Sequence, residues 1–138
     1  MFEKVLVAID GSPQAEHALR AAQQLASLSG GEVRVVHVRE VALAGRAGAI
    51  PMEERAEAEK LVDDAVAELT KAGLTVTGAL RGGRLGHVAA QLLEEADDWG
   101  ASVMVLASRG LSDLAGLVIG STTHKVLHLG HFPVLVVR

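Results

Sequence analysis

Val103-Met104-Val105-Leu106-Ala107-Ser108-Arg109-Gly110, then nine residues, then Gly120-Ser121-Thr122-Thr123, is the stretch that decides how this chain is read. Its first half is a continuous apolar run, as expected of a strand covered on both faces. Its far end opens a segment with helical spacing at Val126, Leu127 and Leu129. Glycine carries no Cβ and tolerates positive φ, so Gly110 and Gly120 suit a backbone that must approach a polyanion closely. Ser and Thr at a helix start leave free N–H groups and hydroxyls at the positive end of the helix dipole. Buried strand, glycine loop and hydroxyl-rich helix start outline a phosphate cradle.

The rest of the chain repeats the strand-then-helix order. Residues 3–10 are nearly all apolar and read as a first buried strand. Ser12 then Pro13 is a helix start, with Ser as N-cap and Pro where its missing N–H costs nothing. A helix over 13–29 follows, with Ala15, Ala18, Leu19, Ala22 and Ala26 on one face and Gly30-Gly31 to stop it. Residues 32–38 read as a second strand. Residues 39–52 show no period and are read as a loop, long enough to be functional or mobile. A helix over 53–72 begins with Glu53, Glu54 and Glu57, acids that suit its dipole. A less apolar third strand over 74–80 reads as a sheet edge. Gly82-Gly83 then leads into a helix over 85–98, a fourth strand over 102–108, a helix over 121–129 and a fifth strand over 132–137. Pro133 fits that last strand only at an edge or ahead of the ladder.

Alternating strands and helices predict an α/β fold, a single-domain three-layer αβα sandwich over residues 1–138. Right-handed crossovers and one reversal of direction give a five-stranded parallel sheet ordered 3-2-1-4-5 by position in the chain. The switch point falls between the first and fourth strands, whose carboxyl ends carry Asp10 and Ala107–Gly110. Ligands of open α/β sheets bind at such a point, so topology and motif indicate one crevice.

Three segments, Val5-Leu6-Val7-Ala8-Ile9-Asp10-Gly11-Ser12, the central ASRG…GST and His131-Phe132-Pro133-Val134-Leu135-Val136-Val137, together resemble the universal stress protein family. The resemblance covers the whole length in the expected order. It implies the adenine nucleotide alpha hydrolase-like form of the fold, and ATP with Mg²⁺ as ligands. Members that bind ATP carry G-x-x-G, nine residues, then G-[S/T]; here Gly110, Gly120 and Ser121 match, and Ala107 stands at the first glycine position. The implied binding set is Ala8, Ile9, Asp10, Val38, Leu106, Ala107, Ser108, Arg109, Gly110, Gly120, Ser121 and Thr122. In it Val38 packs on the adenine, while Ser121 and Thr122 meet phosphates through backbone and hydroxyl. Asp10 either accepts from sugar or base, holds Mg²⁺, or simply caps the turn that follows. Arg109 either pairs with phosphate or lies on the surface. Occupancy is expected to order 111–119 and 39–52, changing the surface shown to an unknown protein partner. The resemblance also implies a homodimer through strand 132–137, an exposed apolar edge in a monomer.

Composition sets the outer bounds. The chain has 138 residues, 49% of them hydrophobic, with only two Phe and one Trp, so its core must be aliphatic. A net charge of −4 and the scarcity of aromatic stacking platforms argue against nucleic acid as partner. No apolar run approaches membrane-spanning length and no secretory leader is visible, so the expectation is a cytoplasmic protein. Zero cysteines exclude disulfides and thiol catalysis. There is no GxxxxGK[ST], no GxGxxG after a strand and no GxSxG elbow, so no P-loop, dinucleotide fingerprint or serine hydrolase is expected. His124 and His128 share a helix face near His131, but they lack the further ligands of a zinc site and the Glu of HExxH. His37, within an apolar strand, reads as a packed histidine. Three functions remain open: an ATP-holding regulatory protein, a dimeric interaction module of the same fold without nucleotide, or a slow ATPase or self-phosphorylating enzyme, the last with Ser121 or Thr122 as phosphate acceptor.

Overall fold

The structure is a computed structural model that describes residues 1–108 and 120–138. The expectations for Arg109, Gly110 and the 111–119 loop therefore fall outside the described residues. The elements are β1 (Lys4–Ala8), α1 (Pro13–Ser29), β2 (Glu32–Leu43), β3 (Ala49–Pro51), α2 (Arg55–Lys71), β4 (Val76–Arg84), α3 (Val88–Trp99), β5 (Val103–Ala107), α4 (Ser121–Leu129) and β6 (Val134–Val137). Five parallel strands lie in the order β4-β2-β1-β5-β6, the expected arrangement.

Strand periodicity sorts the core into two layers. Val5, Val7, Val33, Val35, Val103 and Val105 face α1 and α2, whereas Leu6, Val36, Val38, Met104 and Leu106 face α3 and α4. Every second residue of a strand points to the same face, so a strand buried on both faces must be apolar throughout. The α1 face is built of Ala15, Ala18, Ala22 and Ala26, all buried, whose small side chains let the helix lie close on the sheet. Gly31 allows an equally close crossing, because a Cβ there would sit 2.6 Å from the Phe2 carbonyl oxygen.

Two segments differ from expectation, and both lie at the crevice. Residues 39–52 are not a loop: β2 continues to Leu43, turns through a short 3-10 segment at Gly45–Ala47, and returns as β3. β3 pairs antiparallel with β2 through Val41↔Pro51, Ala42↔Ile50 and Leu43↔Ala49, giving a sixth strand. This hairpin projects past the helical layers, so neither of its faces needs an apolar stripe and no period marks it. β4, in turn, runs through Gly82-Gly83 to Arg84 instead of ending at residue 80. Gly83 serves packing there, since a Cβ would lie 2.9 Å from Gln91 on α3 and 3.4 Å from Val38.

β1 and β3 occupy the same edge of β2. Val41 pairs with Arg84 of β4 and also with Pro51 of β3, so β3 lies opposite β4, as β1 does. β3 therefore sits beyond the carboxyl end of β1, with a gap between them.

Candidate functional site

That gap opens a cavity of about 290 Å³ at the carboxyl ends of the central strands. Of the predicted set, Ala8, Ile9, Asp10, Val38, Leu106, Ala107, Gly120 and Thr122 line it. Ser108 is directed elsewhere: its N–H and hydroxyl donate to the Val137 carbonyl at 2.7 and 3.3 Å, fastening β5 to β6. Ser121 is the exposed first residue of α4 beside the cavity, and Arg109 and Gly110 are outside the described residues.

The wall between β1 and β3 is main chain. Even-numbered residues of β2 direct their N–H and C=O toward that edge: Glu32 N–H donates to the Glu3 carbonyl, the Val36 carbonyl accepts from Ile9 N–H, and the Glu40 carbonyl accepts from Met52 N–H. Val38 falls between the last two. Its N–H and C=O point into the gap where β1 has turned away and β3 has not begun, and neither has a backbone partner among the described residues. Buried backbone groups are almost always paired, so a free donor and acceptor side by side on a cavity wall suit a ligand with the complementary edge.

β1 turns out of the sheet at Asp10-Gly11. Gly11 has φ +80, a conformation in which a Cβ is strained. Asp10 Oδ1 accepts from the N–H of Ser12 at 2.9 Å and from its hydroxyl, closing an Asx turn that leads into α1. The Ser12 hydroxyl is thus turned back to Asp10 and makes no capping bond to the helix. The cap reading of Asp10 is present in the structure, and its second carboxylate oxygen stays available at the exposed mouth.

Across the crevice, α4 begins at Ser121, with Gly120 in the N-cap position. The first intrahelical bond runs from His124 N–H to the Gly120 carbonyl. The N–H groups of Ser121, Thr122 and Thr123 precede that bond and have no intrahelical acceptor, the usual anion-binding end of a helix. Ala107, the departure from the glycine motif, ends β5; its methyl packs against the α1/α2 core cluster and lines the cavity.

His37 and Glu53 were not expected in the site. His37 is 5% exposed; its Nδ1 lies 2.8 Å from the Ile9 carbonyl oxygen and its Nε2 2.5 Å from Glu53 Oε1. Both line the cavity with Met52 and Glu40. Glu40 accepts from Gly86 N–H at 3.1 Å, while Lys125 donates to the Gly86 carbonyl at 3.2 Å, so the β4–α3 turn is held as a rim. In the sequence Glu53 read only as the first residue of an acidic helix start; α2 begins at Arg55 and leaves Glu53 ahead of it. The hairpin that carries it into the crevice left no periodic trace.

The other histidines do not converge. The His124 and His128 rings stack 6.3 Å apart, and His131 approaches Asp97 at 3.4 Å. Among the described residues no three potential ligands come together to hold a metal ion, and no helix there is long and apolar enough to cross a membrane.

A model of the universal stress protein family matches residues 1–138. The chain belongs to that family. The universal stress protein YxiE of Bacillus subtilis is 32% identical over 151 residues, with all of both chains covered. The structure of a universal stress protein from Archaeoglobus fulgidus superposes with a TM-score of 0.79 at 28% identity, covering all of both chains. The Archaeoglobus fulgidus universal stress protein in complex with dAMP superposes with a TM-score of 0.77 at 26% identity, again over all of both chains.

Proposed function

We propose that this universal stress protein holds an adenine nucleotide, ATP with Mg²⁺, at the switch point of its sheet and acts as a regulatory protein with at most slow hydrolysis. The observation that carries the reading is the open edge of Val38. One N–H and one C=O of the same residue face the gap, and the adenine edge offers the matching acceptor at N1 and donor at the 6-amino group. Val88, Leu92 and Leu106 supply apolar walls for the base. The free oxygen of Asp10 accepts from a ribose hydroxyl. The triphosphate lies toward Gly120, Ser121 and Thr122, at the positive end of α4 and away from the carboxylate of Glu40. The dAMP complex of the Archaeoglobus relative supports an adenine nucleotide as the ligand class.

Mg²⁺ fits as a companion of the phosphates. Among the described residues Asp10 is the carboxylate offered to that path, and one of its oxygens is used by Ser12, so phosphate oxygens and water would supply most ligands. His37 is not free to act as a base for hydrolysis, because both of its ring nitrogens are engaged. Holding nucleotide, rather than turning it over, is what these groups can do. The homodimer through Val134–Val137 belongs to the same proposal, since β6 is an edge strand on which Leu135 remains exposed.

The test is to heat-denature freshly purified protein, identify released nucleotide by mass spectrometry, and follow melting during titration with Mg-ATP and Mg-ITP. ITP carries N1–H and a 6-carbonyl, which reverse the polarity facing Val38. A saturable rise with ATP, about tenfold weaker for ITP and abolished in Gly120→Asp, is expected. No released nucleotide and no rise up to millimolar ATP would leave the dimeric interaction module as the better account.

A further inference from the structure

The His37–Glu53 contact requires one proton more than a neutral imidazole and a carboxylate carry together. A carbonyl oxygen has no hydrogen to give, so the bond to Ile9 requires a hydrogen on Nδ1. At 2.5 Å, Nε2 and Glu53 Oε1 would set two lone pairs against each other unless a second hydrogen lay between them. The pair is therefore imidazolium with carboxylate, or imidazole with carboxylic acid. In either form it is neutral overall, and losing the shared proton makes it an anion with a repulsive contact.

The position of this pair gives the proton a consequence. Ile9 closes the β1 side of the gap, whereas Met52 and Glu53 close the other side between β3 and α2. His37, on β2 beside Val38, bridges them. The charged neighbours are Asp10 at the end of β1, with Glu40 and Arg39 on β2; Arg39 is committed, its Nε donating to the Glu53 carbonyl at 3.1 Å. On the α2 side Glu54, Arg55 and Glu57 are exposed, with Arg55 paired to Glu59, and the cavity lining from α1, α3 and α4 is uncharged. An added negative charge would thus join Asp10 and Glu40 with no cation lining the cavity among the described residues.

We propose that His37 and Glu53 form a proton-held clamp on the nucleotide crevice, so that ligand affinity falls as pH rises and the shared proton leaves. This rests on the adenine-nucleotide reading and adds a regulation to it. Both residues act as positioning residues: the clamp fixes the two sides of the gap onto which Val38 opens and keeps the pocket one charge less negative.

Adenosine is the probe, because it has no group that titrates across about pH 6 to 9, whereas the terminal phosphate of ATP does. Binding is measured calorimetrically for wild type, Glu53→Gln and Glu53→Ala. With one linked proton, the wild-type Kd is expected to rise by up to about tenfold per pH unit above the midpoint of the pair. Glu53→Gln replaces the shared proton with an amide N–H that donates to neutral His37, so the clamp closes without titration. Its Kd should stay within about twofold over the same range. Glu53→Ala cannot close the clamp and should bind about tenfold more weakly at the acid end. Equal pH dependence in wild type and Glu53→Gln, or wild-type affinity in Glu53→Ala, would overturn the clamp. Should no variant bind adenosine, the nucleotide reading fails, and the clamp is judged in the free protein by NMR titration of the His37 ring. A His37 titration that moves on Glu53→Gln supports the clamp, and one that does not move overturns it.

Discussion

Glu95→Gln is expected to destabilise the fold by about 2 to 3 kcal/mol. Glu95 lies on α3 over the sheet, 7% exposed, between two guanidinium groups. Arg34 Nη1 of β2 donates to its Oε1 at 2.7 Å, and Arg81 Nη1 of β4 to its Oε2 at 2.7 Å. Arg34 also rests on the Trp99 ring at 5.1 Å, so the carboxylate organises the contact of α3 with two neighbouring strands. Removing one partner of a buried ion pair costs about 3 to 5 kcal/mol because the remaining charge is stranded. The arginine side chains are 25% and 18% exposed and Arg81 retains Glu94, so water and that neighbour offset part of the loss. At about 4 °C per kcal/mol for a chain of this size, the melting temperature should fall by about 8 to 12 °C. The pH dependence has a definite sign. Burial raises the Glu95 pKa, but hydrogen bonds from Arg81 and Arg34 and their charges outweigh it, so the group titrates below its ordinary value. A depressed carboxyl pKa contributes stability that is complete above the unfolded value and is lost as pH falls through the folded one. The gap between wild type and Glu95→Gln should therefore be full at neutral pH and close in acid. Denaturant unfolding at a series of pH values measures both. A loss below about 1 kcal/mol at neutral pH, or a gap that persists in acid, would refute the account of the network.

Two further substitutions test packing and assembly. Gly78→Ala places a Cβ 2.6 Å from Val62 Cγ1 and 3.0 Å from Val66 Cγ2 where α2 crosses β4, so about 1 to 3 kcal/mol should be lost in a denaturant titration. Leu135→Lys puts a charge on the exposed edge strand and should shift sedimentation from dimer to monomer at micromolar concentration, with melting of the chain largely unchanged. A wild-type monomer under the same conditions would count against the dimer.

The architecture was legible because the central strands are buried on both faces. Val5–Val7 and Val103–Leu106 are apolar at consecutive positions, β2 is apolar at Val33, Val35 and Val36, and the helices between them carry periodic small residues, the pattern of a sheet covered on both faces. Alternation of strand and helix, with the handedness of crossovers, then places Asp10 and Ala107 at one crevice. The β2–β3 hairpin was not legible. It gains its stability from ladder bonds beyond the layers, and backbone bonding imposes no pattern on side chains. Likewise Gly82-Gly83 looked like a breaker from composition, yet Gly83 lies within β4 because α3 and Val38 leave no room for a Cβ.

The sequence alone therefore determined the layered αβα fold, the family and the crevice, since these follow from which residues must leave water and from the punctuation between them. Only the tertiary structure decided what the crevice offers. Pairing places the unpaired N–H and C=O of Val38 between β1 and β3, a property of strand ends that no residue type encodes. It also brings Glu53, sixteen positions away in the chain, onto His37. Periodicity reports burial, whereas hydrogen-bond partners and shared protons depend on distances that exist only once the sheet has closed.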